Sequence, residues 1–231
     1  MATDHVKHPR ARHNEIKKHQ KCPEDNPSPK REASTRTRTR IRIVKFQETT
    51  LQGAFVIEPE RLEDARGFFA RSWCQREFAQ QGLNSQLMQC NISFNLRRAT
   101  LRGMHFQRHP DGETKLVRCT AGAIFDVIVD LRTDSPNFLQ WFGVELSAEN
   151  HRMLYIPADF AHGFITLSDA TEVFYQMSDE FVPQSAAGLR WNDPAFGIQW
   201  PELPLVISDR DNSYLNLIPG SDERLVWGAS A

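Results

Sequence analysis

Ala123-Ile-Phe-Asp-Val-Ile-Val-Asp-Leu131 carries the two-residue period of an extended strand. Strand side chains point to opposite faces in turn, so Phe125, Val127, Val129 and Leu131 share one face and Ile124, Asp126, Ile128 and Asp130 the other. The second face mixes isoleucines with carboxylates. An unpaired buried charge is costly, so Asp126, in mid-strand, is expected to have a partner inside a polar cavity. Asp130, near the strand end, reads equally as a solvent-facing or a partnered residue.

Working outward, short runs of the same kind lie on both sides. Strands are expected over residues 41–46, 53–57, 67–73, 87–93, 100–107 and 115–120, then over 141–146, 152–156, 163–167 and 171–177. Only residues 74–81 carry a helical pattern, with Phe78 and Ala79 as its apolar side. Turn chemistry at Pro110-Asp-Gly112, Ser135-Pro136 and Pro157 punctuates the runs. Many short strands at even spacing, with few short helices, predict an all-β sandwich or barrel of antiparallel strands.

The chain has 231 residues and a formal net charge of −1, enough length for a substantial core and too balanced a charge to suggest a nucleic-acid or membrane partner. The balance is uneven, however. Residues 1–42 hold 12 Lys and Arg against 5 Asp and Glu, leaving 16 against 24 for the remainder. Residues 1–40 lack apolar periodicity and carry Pro23, Pro27 and Pro29 among charges, so they read as a disordered basic tail ahead of one domain over residues 41–231. The run Arg36-Thr-Arg-Thr-Arg-Ile-Arg42 reads as a solvated linker rather than a nucleic-acid arm. Cys22, Cys74, Cys90 and Cys119 form no CxxC pair or zinc spacing, and no apolar stretch marks a signal peptide or membrane span. A cytoplasmic, soluble protein is expected.

Several side chains are candidates for chemistry. His105 sits within Leu101-Arg-Gly-Met-His-Phe-Gln107, where an ionisable group in a strand reads as a hydrogen-bonded core residue or as a base. Lys115 begins the next strand after a short turn, so the two are expected as near neighbours on paired strands. A histidine beside a cation that stabilises an oxyanion suits proton abstraction. His162 shares a face with Phe160 and Phe164, and reads either as packing or as a residue at a barrel mouth. Tyr175, between Val173 and Met177 on one face, reads as a half-buried core residue or a general acid. Metal-binding barrels of this kind place two histidines one residue apart on a strand; here the second position is Gln107, so no metal is expected. Ser208-Asp-Arg-Asp211 reads as a solvated loop.

Together these residues resemble the dTDP-4-dehydrorhamnose 3,5-epimerases, a metal-free branch of the cupin jelly-roll barrels. The resemblance runs through Asp64-Ala-Arg-Gly-Phe-Phe69, Gln89-Cys-Asn-Ile-Ser93, Leu101 to Gln107, Lys115-Leu-Val117, Phe125-Asp-Val127, Ile156 to Phe164, Trp191-Asn-Asp-Pro194 and Trp200-Pro201. It is the ordered set, more than any one segment, that is specific. It implies a cupin-like jelly-roll barrel that forms a homodimer by exchanging strands. It also implies a cofactor-independent isomerase inverting one or both carbons beside the ketone of a nucleotide-linked 4-keto-6-deoxyhexose.

By the same resemblance His105 is the base, Asp211 its orienting carboxylate, Lys115 the enolate-stabilising cation and Tyr175 the general acid. His162 and Asp126 form a supporting pair; Arg66, Gln89, Asn91 and Arg102 contact nucleotide or phosphate; Phe69 stacks on the base. Departures from the family pattern are Arg71, where many members have a glutamate, Phe181, where a stacking tyrosine is frequent, and a loop over residues 95–99 one residue longer. Arg71 keeps open a CDP or other nucleotide handle, and a sugar-nucleotide-binding barrel without turnover is the remaining alternative. Strict alternation would set Arg102 and His105 on opposite faces, unless a bulge at Gly103 or a site shared across a dimer reconciles them.

Overall fold

The structure, a computed structural model, describes residues 44–217. The basic tail expected over residues 1–40, the domain boundary at residue 41 and Cys22 lie outside the described residues. The strands are β1 (Val44–Glu48), β2 (Phe55–Pro59), β3 (Leu62–Asp64), β4 (Gly67–Phe69), β5 (Gln89–Asn95), β6 (Thr100–Gln107), β7 (Lys115–Ala121), β8 (Ala123–Asp130), β9 (Trp141–Ser147), β10 (Met153–Ile156), β11 (Phe160–Thr166), β12 (Thr171–Met177), β13 (Ala186–Gly188) and β14 (Val206–Ile207). Two short helices are α1 (Gln75–Gln80) and α2 (Asp209–Ser213). Among the described residues no helix is long and apolar enough to cross a membrane.

One six-stranded sheet runs β1-β2-β10-β7-β12-β5; the other runs β13-β6-β11-β8-β9, with β14 added beside β6 in a parallel pairing. The faces that meet form an apolar core. Val56, Val117, Leu154, Ile156 and Val173 come from the first sheet, and Ile124, Ile128, Leu146, Phe160 and Phe164 from the second. This is the all-β sandwich that the strand spacing predicted, in the cupin-like form that the resemblance implied.

The opening strand explains its own composition. On β8 the Ile124 and Ile128 face points into the inter-sheet core. Val127 and Val129 point outward, where Met104, Phe106 and Ala161 join them beneath Leu189, Phe196 and the partly buried Trp200 and Leu217. Both faces are buried, which is why no exposed polar face breaks the run. Fully burying each Val or Ile contributes about 1.5–3 kcal/mol.

Asp130 is not solvent-facing: its side chain is fully buried and takes two hydrogen bonds from the Arg132 guanidinium, at 2.9 and 2.7 Å, plus one from Ser135 Oγ at 2.6 Å. A planar guanidinium satisfies both carboxylate oxygens at once, so the charge tolerates burial and ties down the turn leading to β9.

Other expectations also change. β6 and β7 lie in different sheets, so His105 and Lys115 face each other across the sandwich and are not on paired strands. The Pro110 to Gly112 turn therefore carries the chain from one layer to the other. Helix α1 buries Phe78 against Phe46, Trp73 and Tyr155, whereas Ala79 is exposed. Strands β3, β13 and β14 were not expected, β4 stops at Phe69, and β11 begins three residues earlier than the sequence pattern suggested.

Of the two ways to bring Arg102 and His105 together, a bulge at Gly103 or a site shared across a dimer, the bulge is present. Opposite β11, Phe164 pairs with Arg102 and His162 with His105, so three steps along β6 match two along β11. Leu101 stays on the outer face with Ile165 and Ile207, while Arg102 and His105 both turn inward to one cavity. Gly103 has φ +123°, and a Cβ there would meet Gly163 Cα at 2.5 Å and His162 O at 2.8 Å. Backbone lies against backbone, leaving nothing flexible to yield. Gly103→Ala is expected to lose about 3 kcal/mol of stability from strain and overpacking together, read by urea unfolding. A loss under about 1 kcal/mol would mean that the bulge relaxes.

Candidate active site

A cavity of about 440 Å³ lies between the sheets. The first sheet contributes Ser93 of β5, Lys115 of β7 and Tyr175 and Met177 of β12; the second contributes Arg102 and His105 of β6 and His162 and Phe164 of β11. Glu113, Phe181 and Arg210 also line it. Strand alternation points most of these residues inward, and on β6 the bulge at Gly103 adds Arg102 to the face of His105.

His105 is held from behind. Its Nε2 lies 2.7 Å from Asp211 Oδ1, and the Gly103 N–H donates to Asp211 Oδ2 at 3.1 Å. Asp211 was read from sequence as part of a solvated loop, and that reading is corrected. It lies in α2, 5% exposed, with its own N–H bonded to the N-cap hydroxyl of Ser208. Burial pushes the Asp211 carboxyl up, but the hydrogen bond and charge of His105, the Gly103 N–H and Ser208 outweigh it and hold the group below the ordinary carboxylate value of 3.8. An ionised Asp211 can only accept, so Nε2 carries a proton, and in the neutral imidazole the lone pair is on Nδ1.

Lys115 Nζ pairs with Glu113 Oε1, both side chains almost fully buried. His162 Nε2 is 2.7 Å from Asp126 Oδ1, and Asp126 is wholly buried beneath it, which supplies the partner that the opening strand demanded. Tyr175 lies on the first sheet, across the sandwich from His105. Burial raises the pKa of its phenol; Arg102 opposes this and Glu113 adds to it.

The mouth is organised by two glutamines. Gln89 Oε1 accepts from the Phe181 N–H at 3.0 Å. Gln107 donates to the carbonyls of Asp111 and Glu180 and accepts from the Val182 N–H. Gln107, read as the replacement for a second metal-binding histidine, thus anchors the segment that carries Phe181. Asn91 follows Gln89 on the same face and bonds to it at 3.3 Å. Arg102 Nε donates to Asn95 Oδ1 at 2.7 Å.

Of the expected contact residues, Gln89 and Asn91 stand behind the cavity lining, bonded to Phe181 and Met177, and two more are remote from it within one chain. Arg66 and Phe69 sit on the separate β3–β4 hairpin, where the Arg66 side chain is 89% exposed with Asp64 as its ion-pair partner and Phe69 is 64% exposed. Arg71 also lies apart, bonded to Glu77 of α1 at 2.8 Å. Conversely, Glu113 and Arg210 line the cavity and were missed. Glu113 precedes its strand by two residues, with the same parity as Lys115, and that was the signal available.

The arrangement offers a base on one wall, a phenol on the opposite wall and an ammonium between buried groups. Comparison with known proteins follows the same direction. A family model described as dTDP-4-dehydrorhamnose 3,5-epimerase matches residues 48–218. A dTDP-4-dehydrorhamnose 3,5-epimerase of Salmonella typhimurium is 45% identical over 160 residues, covering 68% of this chain and 87% of that protein. The crystal structure of the Bacillus anthracis dTDP-4-dehydrorhamnose 3,5-epimerase with TDP and pyrophosphate bound superposes with a TM-score of 0.73 at 41% identity, covering 75% of this chain and 99% of that one. The Legionella pneumophila dTDP-6-deoxy-D-glucose-3,5-epimerase in complex with dTDP-4-keto-L-rhamnose gives 0.74 at 35% identity, covering 81% and 100%.

Asp211→Asn keeps the shape but removes the charge that orients His105. A fall in turnover of up to about 10⁴-fold is expected with folding retained, by analogy with the loss when a carboxylate orienting a catalytic histidine is neutralised. The stability that this carboxyl contributes is present above the ordinary value of 3.8 and is lost as pH falls through its own lower value. Acid unfolding followed by circular dichroism should therefore lack that component in Asp211→Asn.

Proposed function

The chain belongs to the dTDP-4-dehydrorhamnose 3,5-epimerase family, and from that premise we propose that His105, Lys115, Tyr175 and Asp211 carry out its proton transfers. It is an isomerase that inverts carbon centres of a nucleotide-linked keto sugar. The substrate that fits best is dTDP-4-dehydro-6-deoxyglucose, converted to dTDP-4-dehydrorhamnose. The observation that carries the reading is one cavity with His105 and Tyr175 on facing sheets.

A proton beside a ketone is a weaker acid than imidazolium by about a dozen pKa units, each costing about 1.4 kcal/mol, so a base alone is insufficient. His105 Nδ1 takes that proton while the C–H electron pair moves onto the ketone oxygen. Lys115, its side chain almost fully buried, stabilises the enolate oxygen, and Asp211 stabilises the imidazolium. Tyr175 then returns a proton to the same carbon from the opposite face, inverting it; the imidazolium and phenolate regain their states by exchange with water. The raised pKa of Tyr175 keeps the phenol protonated and ready to donate.

His162 with Asp126 supports the sugar pocket, Arg102 and Asn91 suit the diphosphate and nucleotide, and Phe181 offers a ring at the mouth with Gln89 holding its backbone. A homodimer accounts for the two residues left outside. Ile92 and Phe94 are 64% and 52% exposed on β5, and Leu62, Phe68 and Phe69 are exposed on the β3–β4 hairpin. Large exposed apolar groups of this kind suit contact with a second copy. Arg66 and Phe69 would then reach the partner's cavity. The free thiols of Cys74, Cys90 and Cys119 suit a reducing, cytoplasmic setting.

Incubation of dTDP-4-dehydro-6-deoxyglucose in deuterated water should place deuterium beside the ketone; no exchange by folded protein overturns the reading. Retained double inversion by Tyr175→Phe would remove that residue from the acid role. If the site is shared, co-expressed His105→Ala and Arg66→Ala chains, each defective alone, should recover roughly a quarter of wild-type activity through mixed dimers. Competition by CDP equal to that by dTDP would instead favour the alternative handle.

A further inference from the structure

Among the described residues, Glu113 is the one buried carboxylate of the cavity wall to which the chemistry above gives no task. It stands in the connection that carries the chain from one sheet to the other, where Thr114 and Ser178 bond to each other twice and lock the backbone: the Thr114 N–H donates to Ser178 Oγ at 2.9 Å and the Ser178 N–H to Thr114 O at 3.0 Å. Its side chain is 4% exposed; Oε1 pairs with Lys115 Nζ, and Oε2 is buried with no hydrogen-bond partner among the described residues. A surface ion pair would mean little, but a buried carboxylate left half satisfied is costly and needs a return elsewhere.

We propose that Glu113 is a positioning residue for this site, fixing the Lys115 ammonium in one orientation and placing a negative charge in the cavity that Tyr175 shares. The inference rests on the proton-transfer reading. An ammonium on a four-carbon stem has three donors and many rotamers. Committing one donor to Glu113 Oε1 leaves two for the developing enolate oxygen in the cavity that Lys115 lines. The effect on Tyr175 follows from its surroundings. Arg102, His105 and His162 reach the cavity from β6 and β11, Lys115 from β7 and Arg210 from α2. Every one of these is cationic or can become so, and cations favour the phenolate. Glu113 is the carboxylate among the described lining groups, and it opposes them. A phenol that ionised early could not donate to the carbanion. Glu113 also faces Asp159, whose carboxyl is raised first by burial and further by Glu113, while His109 and Arg132 pull it down.

The test is Glu113→Gln, which keeps size and removes charge, beside Glu113→Ala, which removes the anchor. Turnover is expected to fall on the order of 10-fold for E113Q and 100-fold for E113A, with KM changed by less than about 3-fold, because the loss lies in orientation at the reacting atoms. Alkaline titration of phenolate absorbance, with Tyr175→Phe variants subtracted to isolate Tyr175, should find its ionisation at lower pH in E113Q than in wild type. This titration needs no substrate. Absence of wild-type deuterium exchange would overturn the proton-transfer reading and leave the titration to judge Glu113. Unchanged turnover and unchanged Tyr175 titration in E113Q would overturn the proposal, as would a raised KM at constant turnover, which assigns a plain substrate contact. Thermal unfolding and dTDP binding verify the fold, and E113Q carries the decision if E113A does not fold.

Discussion

Gly103 and Gly163 pass each other with room for hydrogen atoms only, and the position of the site depends on that approach. The closeness admits the extra residue on β6, the extra residue brings Arg102 and His105 to one side, and the carboxylate of Asp211 holds both consequences in place. One of its oxygens takes the bulge N–H and the other the imidazole. A backbone irregularity and a side-chain orientation thus share a single anion, so neither can shift without disturbing the other.

Around this point the molecule is built in two apolar layers. The inter-sheet core is closed by the inward faces of β8, β11, β7 and β12. A second apolar layer lies outside β8 and β6, covered by the segment from Ala187 to Leu217. That covering segment then returns as β14 and α2 to deliver Asp211. The packing of Trp200 and Phe196 therefore also guides the chain to His105, which joins the apolar core to the candidate site in one stretch of sequence.

Much of this was legible beforehand because period-two alternation is a strong signal. β6 and β12 fall on the residues expected, and the inward face of β8 is the one with Asp126. What was not legible has physical reasons. Ala186-Ala-Gly188 and Val206-Ile207 are too short to show a period. Ser208 to Asp211 has the composition of a solvated loop, and only tertiary burial reveals a capped helical turn. Whether β6 and β7 pair or cross between sheets depends on the whole topology, since a short turn serves either connection. Resemblance to a family identified Asp211 where local pattern pointed away from it. Neither local pattern nor resemblance drew attention to Glu113, which sits before its strand begins.

The two glutamines at the mouth have a mechanical meaning. Gln89 belongs to one sheet and Gln107 to the other, and both hold the stretch from Glu180 to Val182 through its backbone. That stretch is therefore a strut spanning the two layers. The width of the entrance is geared to the spacing of the sandwich itself, so the thickness of the apolar core, set by residues such as Ile128 and Phe164, is also the gauge that positions the Phe181 ring.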